Sequence, residues 1–284
     1  MLRKSVFLLS LLCLAAWCAV NIGCGGSSSP KKTACTGSYN IVGDWQGTAT
    51  GTGSSDSLTG IINSTGEAMF FDSQADIVSL PQLTGTCSFS ETLTAYESTA
   101  NGGASSTGTA TGNVNSDTSI TGSDVSNGTT TNFTFSSYAP ISTITAVTGT
   151  VGAVIEGQLS DSLILSLGGT SSAITFSGTD ATNCTINGTA TEEGTNNVYD
   201  VTFDVGGTGC TATNLAGLGF ESSADLFTLD NNAIGTYLYV IVTNYSAPFV
   251  VEIFPAGPGA YIKHHSAHTS GFHNLFGIDK RLTH

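Results

Sequence analysis

YDVTFDV (residues 199–205) alternates apolar and polar side chains without a break. Successive side chains of a β-strand point to opposite faces, so this pattern predicts a strand with one buried and one solvated face. Phe133 and Phe135 alternate with polar neighbours in the same way, and no apolar repeat of helical period follows the first thirty residues. We therefore expect an all-β fold.

Turn signals divide the alternating segments. Asn127-Gly128 lies between two such runs and predicts a two-residue β-hairpin. Asn101-Gly102 and Asn187-Gly188 predict further turns. The continuously apolar residues 237–242 indicate a central strand, and residues 249–254 indicate the strand that closes the sheet. The sheet is therefore expected to be antiparallel, with short connections.

A weak internal repeat indicates duplication. Ser55-Asp56-Ser57-Leu58 recurs as Ser160-Asp161-Ser162-Leu163. At the same offset, the first copy's Thr65, Ala68 and Phe71 match Thr170, Ala173 and Phe176, and Gly-Thr-Ala-Thr occurs at Gly47, Gly108 and Gly188. We expect two related lobes of antiparallel meander type, barrels or sandwiches, at residues 40–140 and 141–256, followed by a flexible His-containing tail at 257–284.

The first thirty residues have the pattern of an export signal. Arg3 and Lys4 precede an apolar run over residues 6–20, and Gly23-Cys24 is followed by a Gly/Ser-rich segment. Gly23-Cys24 in this setting resembles the lipobox of bacterial lipoproteins, in which the cysteine is acylated. The resemblance implies a signal peptide over 1–23, a lipidated tether over 24–39 and an anchor at Cys24. An ordinary secreted protein, cut near residue 16 or 19, is the alternative.

Several motifs resemble known envelope proteins. Gly43-x-Trp45 is similar to the first strand of lipocalins, where the Trp fills one end of a barrel. Residues 163–222 resemble uncharacterised bacterial envelope lipoproteins with small meander barrels, and are distantly similar to lobes of transferrin-binding lipoproteins. The motifs are Asn183-Cys184, Asn197-Val198-Tyr199, Cys210 and Gly217-Leu218-Gly219. The resemblance implies a barrel fold and the cell envelope, with no activity. Because Gly25 is not Asp, we expect the outer membrane.

The charge distribution excludes several functions. No Lys or Arg lies between Thr33 and Ile262, the first His is His264, and 20 of the 21 acids fall in that span. Nucleic acid is excluded as a partner, because its phosphates require basic side chains. Nucleophiles activated by His are excluded for the same span. Mutual repulsion of the acids predicts stability that falls as pH rises and recovers with salt.

Four cysteines remain in the exported chain besides Cys24. An even number of cysteines in an exported protein predicts disulfides. We expect the nearest pairings, Cys35–Cys87 and Cys184–Cys210. Zinc is the competing interpretation, and the absence of a Cys-x-x-Cys spacing disfavours it.

Two groups of side chains offer weak candidate sites. In the tail, His264, His265 and His268 are weak candidates for metal ligands, although a tail without a site is the favoured interpretation. Carboxylates are the only acid–base pairs available for catalysis, and the candidates are Glu192 with Glu193, Asp225 with Asp230, and Asp200 with Asp204.

The favoured function is a membrane-anchored, non-catalytic binding or structural module without a cofactor. Its partner is expected to be membrane lipid through Cys24, together with an envelope protein, a glycan or a small ligand. An apolar ligand inside a barrel requires a cavity lined by Trp45, Phe71 and Tyr199. The alternative is a carboxylate-based carbohydrate-active enzyme, which requires two carboxylates about 5 Å or more apart.

Overall fold

The computed structural model describes residues 37–98, 103–138, 149–156, 162–170, 172–180, 183–194, 197–210, 213–222, 237–243, 249–255 and 276. These residues form sixteen β-strands. The first eight are β1 (Gly43–Gly51), β2 (Ser54–Ile62), β3 (Ala68–Phe71), β4 (Ile77–Leu80), β5 (Ser88–Tyr96), β6 (Ser105–Ser116), β7 (Ser119–Ser126) and β8 (Thr129–Ser137). The others are β9 (Gly149–Glu156), β10 (Ser162–Thr170), β11 (Ala173–Asp180), β12 (Thr185–Glu192), β13 (Val198–Gly206), β14 (Thr213–Ser222), β15 (Tyr237–Thr243) and β16 (Phe249–Pro255).

The strands close into two antiparallel barrels of the same plan. In barrel 1 each of β1 to β8 pairs with the next along the chain, and β8 returns to pair with β1. In barrel 2 the strands β9 to β16 follow the same order, and β16 pairs with β9. The predicted all-β fold with two related meander lobes is confirmed, and residues 249–254 lie in the closing strand as expected. The domain boundaries themselves remain a prediction.

The predicted strands are confirmed, as is the turn at Asn127-Gly128, whereas the turn predicted at Asn101-Gly102 lies outside the described residues. Asn127 and Gly128 join β7 to β8 with φ values of 48° and 79°, which is the left-handed geometry of the favoured hairpin turn. In β13, Tyr199, Val201 and Phe203 are buried, whereas Asp200 and Asp204 are exposed. Cys184 and Cys210 form the predicted disulfide. Cys87 is also disulfide-bonded, and Cys35 lies outside the described residues.

The turn predicted at Asn187-Gly188 is wrong, because both residues lie inside β12. Gly188 points into barrel 2, where a Cβ would lie 2.3 Å from the carbonyl oxygen of Thr202, 3.1 Å from the Phe176 ring and 3.2 Å from the Phe203 ring. The glycine therefore makes room for the backbone of the paired strand and for two aromatic side chains. Small inward residues opposite large ones are typical of small, filled barrels.

The Gly-Thr-Ala-Thr motif has the same role in three strands. Its alanines are Ala49 in β1, Ala110 in β6 and Ala190 in β12, and each is fully buried. The residue-level repeat fails elsewhere, because Phe71 lies in a cluster on the outside of barrel 1 whereas Phe176 lies in the core of barrel 2. A shift of one residue moves a strand side chain to the opposite face. The two barrels thus share a plan, but not that residue equivalence.

The barrels meet through apolar side chains on their outer faces. Ile61, Met69 and Phe71 of barrel 1 form one buried cluster with Leu218 and Phe220 of barrel 2. The rings of Phe71 and Phe220 lie 6.0 Å apart, centroid to centroid. This cluster explains why all four residues of β3 are buried, since one face of the strand lines barrel 1 and the other faces barrel 2.

No helix that could span a membrane occurs among the described residues.

Candidate functional site

One end of barrel 1 is filled by apolar side chains. Trp45 is 1 % exposed, and its indole Nε1 donates to the carbonyl oxygen of Ile41 at 2.8 Å. Phe70 and Phe135 stack with ring centroids 4.2 Å apart, and Phe133 packs 5.5 Å from Phe135. These side chains form a hydrophobic core at this end of barrel 1, which we call the aromatic end. Tight aromatic packing of this kind is expected where a barrel interior contributes stability.

An apolar ligand inside a barrel would require a cavity lined by Trp45, Phe71 and Tyr199, and these three side chains lie in different clusters. Trp45 lies inside barrel 1, Tyr199 lies inside barrel 2, and Phe71 lies in the cluster between the barrels. Alternation in the sequence assigns a side chain to a face of a strand but not to a barrel. The three side chains therefore line no common cavity.

The opposite end of barrel 1 is polar and acidic. Ala49 lies in the core and pairs with Asp56 across β1 and β2, so Asp56 points into the barrel as well. The same argument from Ala110 places Asp124 of β7 inside. We call this group the acidic end. Its members are Asp56, Asp72, Asp76, Glu97 and Asp124, together with the hydroxyl residues Ser54, Ser98, Ser106, Ser126 and Thr131.

The β3–β4 hairpin holds two of these carboxylates. Asp72 Oδ1 accepts hydrogen bonds from the backbone N–H groups of Gln74 at 2.8 Å and Asp76 at 3.0 Å. Asp76 Oδ1 in turn accepts a hydrogen bond from the backbone N–H of Ser98 at 2.7 Å. These contacts fix both carboxylates at the rim of the acidic end. Ser98 belongs to the connection between β5 and β6, so the hydrogen bond also ties two hairpins together.

Asp124 occupies the far side of the same end. Its Oδ2 accepts a short hydrogen bond from the hydroxyl of Ser126. Gly108 lies opposite Ser126 in the paired strand, and a Cβ at this position would overlap both Ser126 Oγ and Asp124 Oδ1. The glycine therefore provides the space that lets a carboxylate lie inside the barrel.

Three buried polar atoms of the acidic end have no hydrogen-bond partner. They are Ser54 Oγ, Ser98 Oγ and Asp124 Oδ1. A buried polar atom without a partner costs about 1–3 kcal/mol, and such atoms in native structures commonly mark an absent ion, water or ligand. Asp124 is fully buried and Ser98 is 8 % exposed. The acidic end thus contains one carboxylate oxygen and two hydroxyl groups that make no hydrogen bond within the folded chain.

Phe276 contributes an apolar side chain to the same region. It is 1 % exposed and packs in the core cluster of barrel 1, although it lies 21 positions beyond Pro255, the end of β16. The hydroxyl of Ser106 donates to its carbonyl oxygen at 2.5 Å. A residue beyond the last strand of barrel 2 therefore covers the interior of barrel 1.

Burial raises the pKa of the acids at this end. The pKa of Asp72 lies well above its usual value, first because of burial and then because of the nearby carboxylates of Asp76 and Asp56. Burial likewise raises the pKa of Asp124, against the opposing hydrogen bond from Ser126. No basic side chain lies between Thr33 and Ile262 to compensate them. Buried carboxylates therefore need protons or a cation.

A second group of acids lies where the barrels meet. The side-chain N–H groups of Asn197 donate to Asp44 Oδ2 at 3.1 Å and to the Glu221 carbonyl oxygen at 3.0 Å. Tyr199 forms a hydrogen bond with the Glu221 side chain. Burial raises the pKa values of Asp44 and Glu221 to about 8 each. Asp44 Oδ1 and Glu221 Oε1 are buried without a partner.

The carboxylate pairs suggested by the sequence have different environments. Asp200 shares a hydrogen bond with Glu193 and another with Asn63, and its pKa is raised by burial first and by Glu193 second. Glu193 also accepts from the Ser64 N–H at 2.7 Å. This hydrogen bond joins members of two different suggested pairs, Asp200 with Asp204 and Glu192 with Glu193.

The other suggested residues form no site in the described part of the chain. Asp204 lies on the outer face of β13, and Asp225, Asp230, His264, His265 and His268 lie outside the described residues. Within the described ranges, no group of three His, Cys, Asp or Glu side chains has a geometry that could hold a metal ion.

The acidic end was missed at the sequence level. The available signal was the spacing of Asp56 and Leu58, which lie two positions apart and therefore share a face of the strand. A polar residue in an alternating strand is ordinarily assigned to the solvated face. The pairing of Asp56 with the inward-facing Ala49 instead places the Asp56 side chain inside the barrel.

Comparison with protein-family models, characterised proteins and solved structures finds no match to this chain.

Proposed function

We propose that this chain is an envelope lipoprotein, anchored through acylated Cys24, that acts as a non-catalytic binding module for a small ligand. The observation that supports binding is the acidic end of barrel 1, where one buried carboxylate oxygen and two buried hydroxyl groups have no hydrogen-bond partner. A purely structural barrel gains stability from an apolar interior, as the aromatic end of barrel 1 illustrates. Acids placed inside it cost stability unless a partner compensates them.

The ligand-binding proposal predicts that the full-length protein carries a small molecule when it is purified from the cells that make it. Denaturation should release that molecule in about equal amount to the protein, detected by liquid chromatography and mass spectrometry. Asp72→Asn combined with Asp124→Asn should abolish the release, because both carboxylates lie at the acidic end. Asp204→Asn, on the outer face of barrel 2, is the matched control. Absence of any released molecule above the level of the double variant would contradict the proposal.

The anchoring proposal predicts that Cys24→Ala moves the protein from the membrane fraction to the soluble fraction. Acyl chains contribute about 0.8 kcal/mol per buried methylene group, and their loss removes the anchor. Fractionation followed by immunoblotting measures the change, with Cys18→Ala as the control because Cys18 leaves with the signal peptide. A Cys24→Ala protein that carries no lipid and still sediments with membranes would refute the anchor.

A further inference from the structure

We propose that the acidic end of barrel 1 binds an organic ammonium group, and that Phe276 must leave its place in barrel 1 for this ligand to enter. The inference rests on the proposed binding function and names the chemical class of its ligand. It begins from a mismatch of donors and acceptors within the barrel. The side chains of the acidic end are carboxylates and hydroxyls, and Ser54 Oγ, Ser98 Oγ and Asp124 Oδ1 have no partner.

An ammonium group supplies the positive charge that the strands of this end lack. A primary ammonium carries three hydrogen-bond donors, no acceptor and one positive charge. Carboxylate oxygens accept such charge-assisted hydrogen bonds at about twice the strength of neutral ones. Neither the strands of barrel 1 nor those of barrel 2 carry a Lys, Arg or His. No basic side chain of either barrel's strands therefore compensates the charges of Asp72 and Asp124.

A metal ion fits less well than an organic cation. Calcium takes six to eight oxygen ligands at close range, several of them carboxylates. The described residues contain no group of three acidic, His or Cys side chains that could hold a metal ion. Asp72 and Asp76 already accept hydrogen bonds from backbone N–H groups, which hold their oxygens in fixed directions. A hydrogen-bonded ammonium tolerates wider spacing between its acceptors than a metal ion does.

Phe276 controls access in this arrangement. With its ring packed in barrel 1, four of the described acids at this end are buried, namely Asp72, Asp76, Glu97 and Asp124, whereas Asp56 is partly exposed. The contacts of this residue include packing in the core of barrel 1 and a hydrogen bond from the Ser106 hydroxyl to its carbonyl oxygen. A ligand that enters must replace these contacts, so its apparent affinity is reduced by the fraction of molecules in which Phe276 is bound.

The test uses isothermal titration calorimetry of the full chain, purified free of any bound small molecule, at pH 7.5 with n-butylamine and 1,4-diaminobutane. The neutral isostere 1-butanol is the control ligand. We expect saturable binding of an amine and none of 1-butanol. Phe276→Ala should bind the amine at least tenfold more tightly, because the competing side chain is gone. Asp124→Asn should bind at least tenfold more weakly, whereas Asp204→Asn should bind like the parent chain.

Several outcomes would overturn the inference. One is the absence of saturable amine binding in both the parent chain and Phe276→Ala. Another is that Asp124→Asn and Asp204→Asn weaken amine binding equally. A third is saturable calcium binding that excludes the amine. Should Asp124→Asn fail to fold in a thermal melt, Ser98→Ala tests the same acceptors. A released natural ligand that carries no ammonium group would refute this inference while leaving the binding function intact. Release of no ligand at all, with amine binding observed, would instead count against the proposed function.

Discussion

Gly47→Val is expected to destabilise barrel 1 by at least about 3 kcal/mol, the upper range for overpacking a core. A Cβ at Gly47 would overlap the carbonyl oxygen of Thr134 and would lie 2.5 Å from the Phe135 ring. Because β1 pairs with β8 at this position, the backbone must move where the barrel closes. The midpoint of thermal unfolding, measured by circular dichroism, should fall by roughly 6–12 °C.

Two companion variants make the Gly47 prediction specific. Gly47→Ala should produce most of the same loss, because the Cβ itself already overlaps the neighbouring strand. Thr48→Val changes the next residue of the same strand, which is exposed, and should shift the midpoint by less than about 2 °C. If Gly47→Val melts within 2 °C of the parent chain, the closure of β1 on β8 is wrong as described.

Local patterns in the sequence were sufficient for the class and plan of the fold. Alternation in β8 and β13 indicates a strand wherever one face is buried, because the side-chain period of two is a property of the backbone. Asn127-Gly128 indicates a hairpin because both residues readily adopt positive φ. The same reasoning fails at Asn187-Gly188, where glycine serves packing inside a strand. The dipeptide alone does not distinguish a turn from a small residue beneath aromatic rings.

The candidate site required tertiary information that no local pattern contains. Asp56 and Asp200 both occupy alternating strands, yet Asp56 points into barrel 1 and Asp200 lies on the outer face of β13. The difference arises from register with the neighbouring strand. The position of Phe276 depends even more strongly on tertiary structure, because its hydrogen-bond partner Ser106 lies 170 residues earlier in the chain. Contacts of such separation depend on the closed barrel, which alternation does not specify in detail.

The acids also change how stability should depend on pH. The expectation from the sequence was mutual repulsion among 20 carboxylates. In the folded chain, burial is the first cause of the raised pKa of Asp44, Glu221 and Asp72, and neighbouring acids are a smaller cause where they contribute. The direction of the effect is the same for both causes. Their response to salt differs, because salt screens exposed charges and leaves the cost of burial largely unchanged.

Thermal stability is therefore expected to fall between about pH 4 and pH 8. Asp44 and Glu221 have usual pKa values of 3.8 and 4.5 in the unfolded chain and about 8 in the folded chain. Between those limits the folded state binds more protons, so the free energy of unfolding decreases as pH rises. Their stabilising contribution is complete below pH 4 and is lost as pH rises through 8. We expect the midpoint of unfolding to drop by on the order of 10 °C from pH 5 to pH 8.

The cause is tested by replacing the two acids with neutral amides. Asp44→Asn combined with Glu221→Gln should flatten the pH profile and raise the midpoint at pH 8, since neither amide must ionise in a buried site. Asp204→Asn, which removes one exposed charge, should leave the slope as it is in the parent chain. Added salt at pH 8 should restore only a minor part of the loss, because burial rather than repulsion dominates. Full recovery in salt would assign the slope to repulsion between exposed acids. A midpoint that rises with pH would contradict both causes, because it would require the unfolded chain to bind more protons than the folded one.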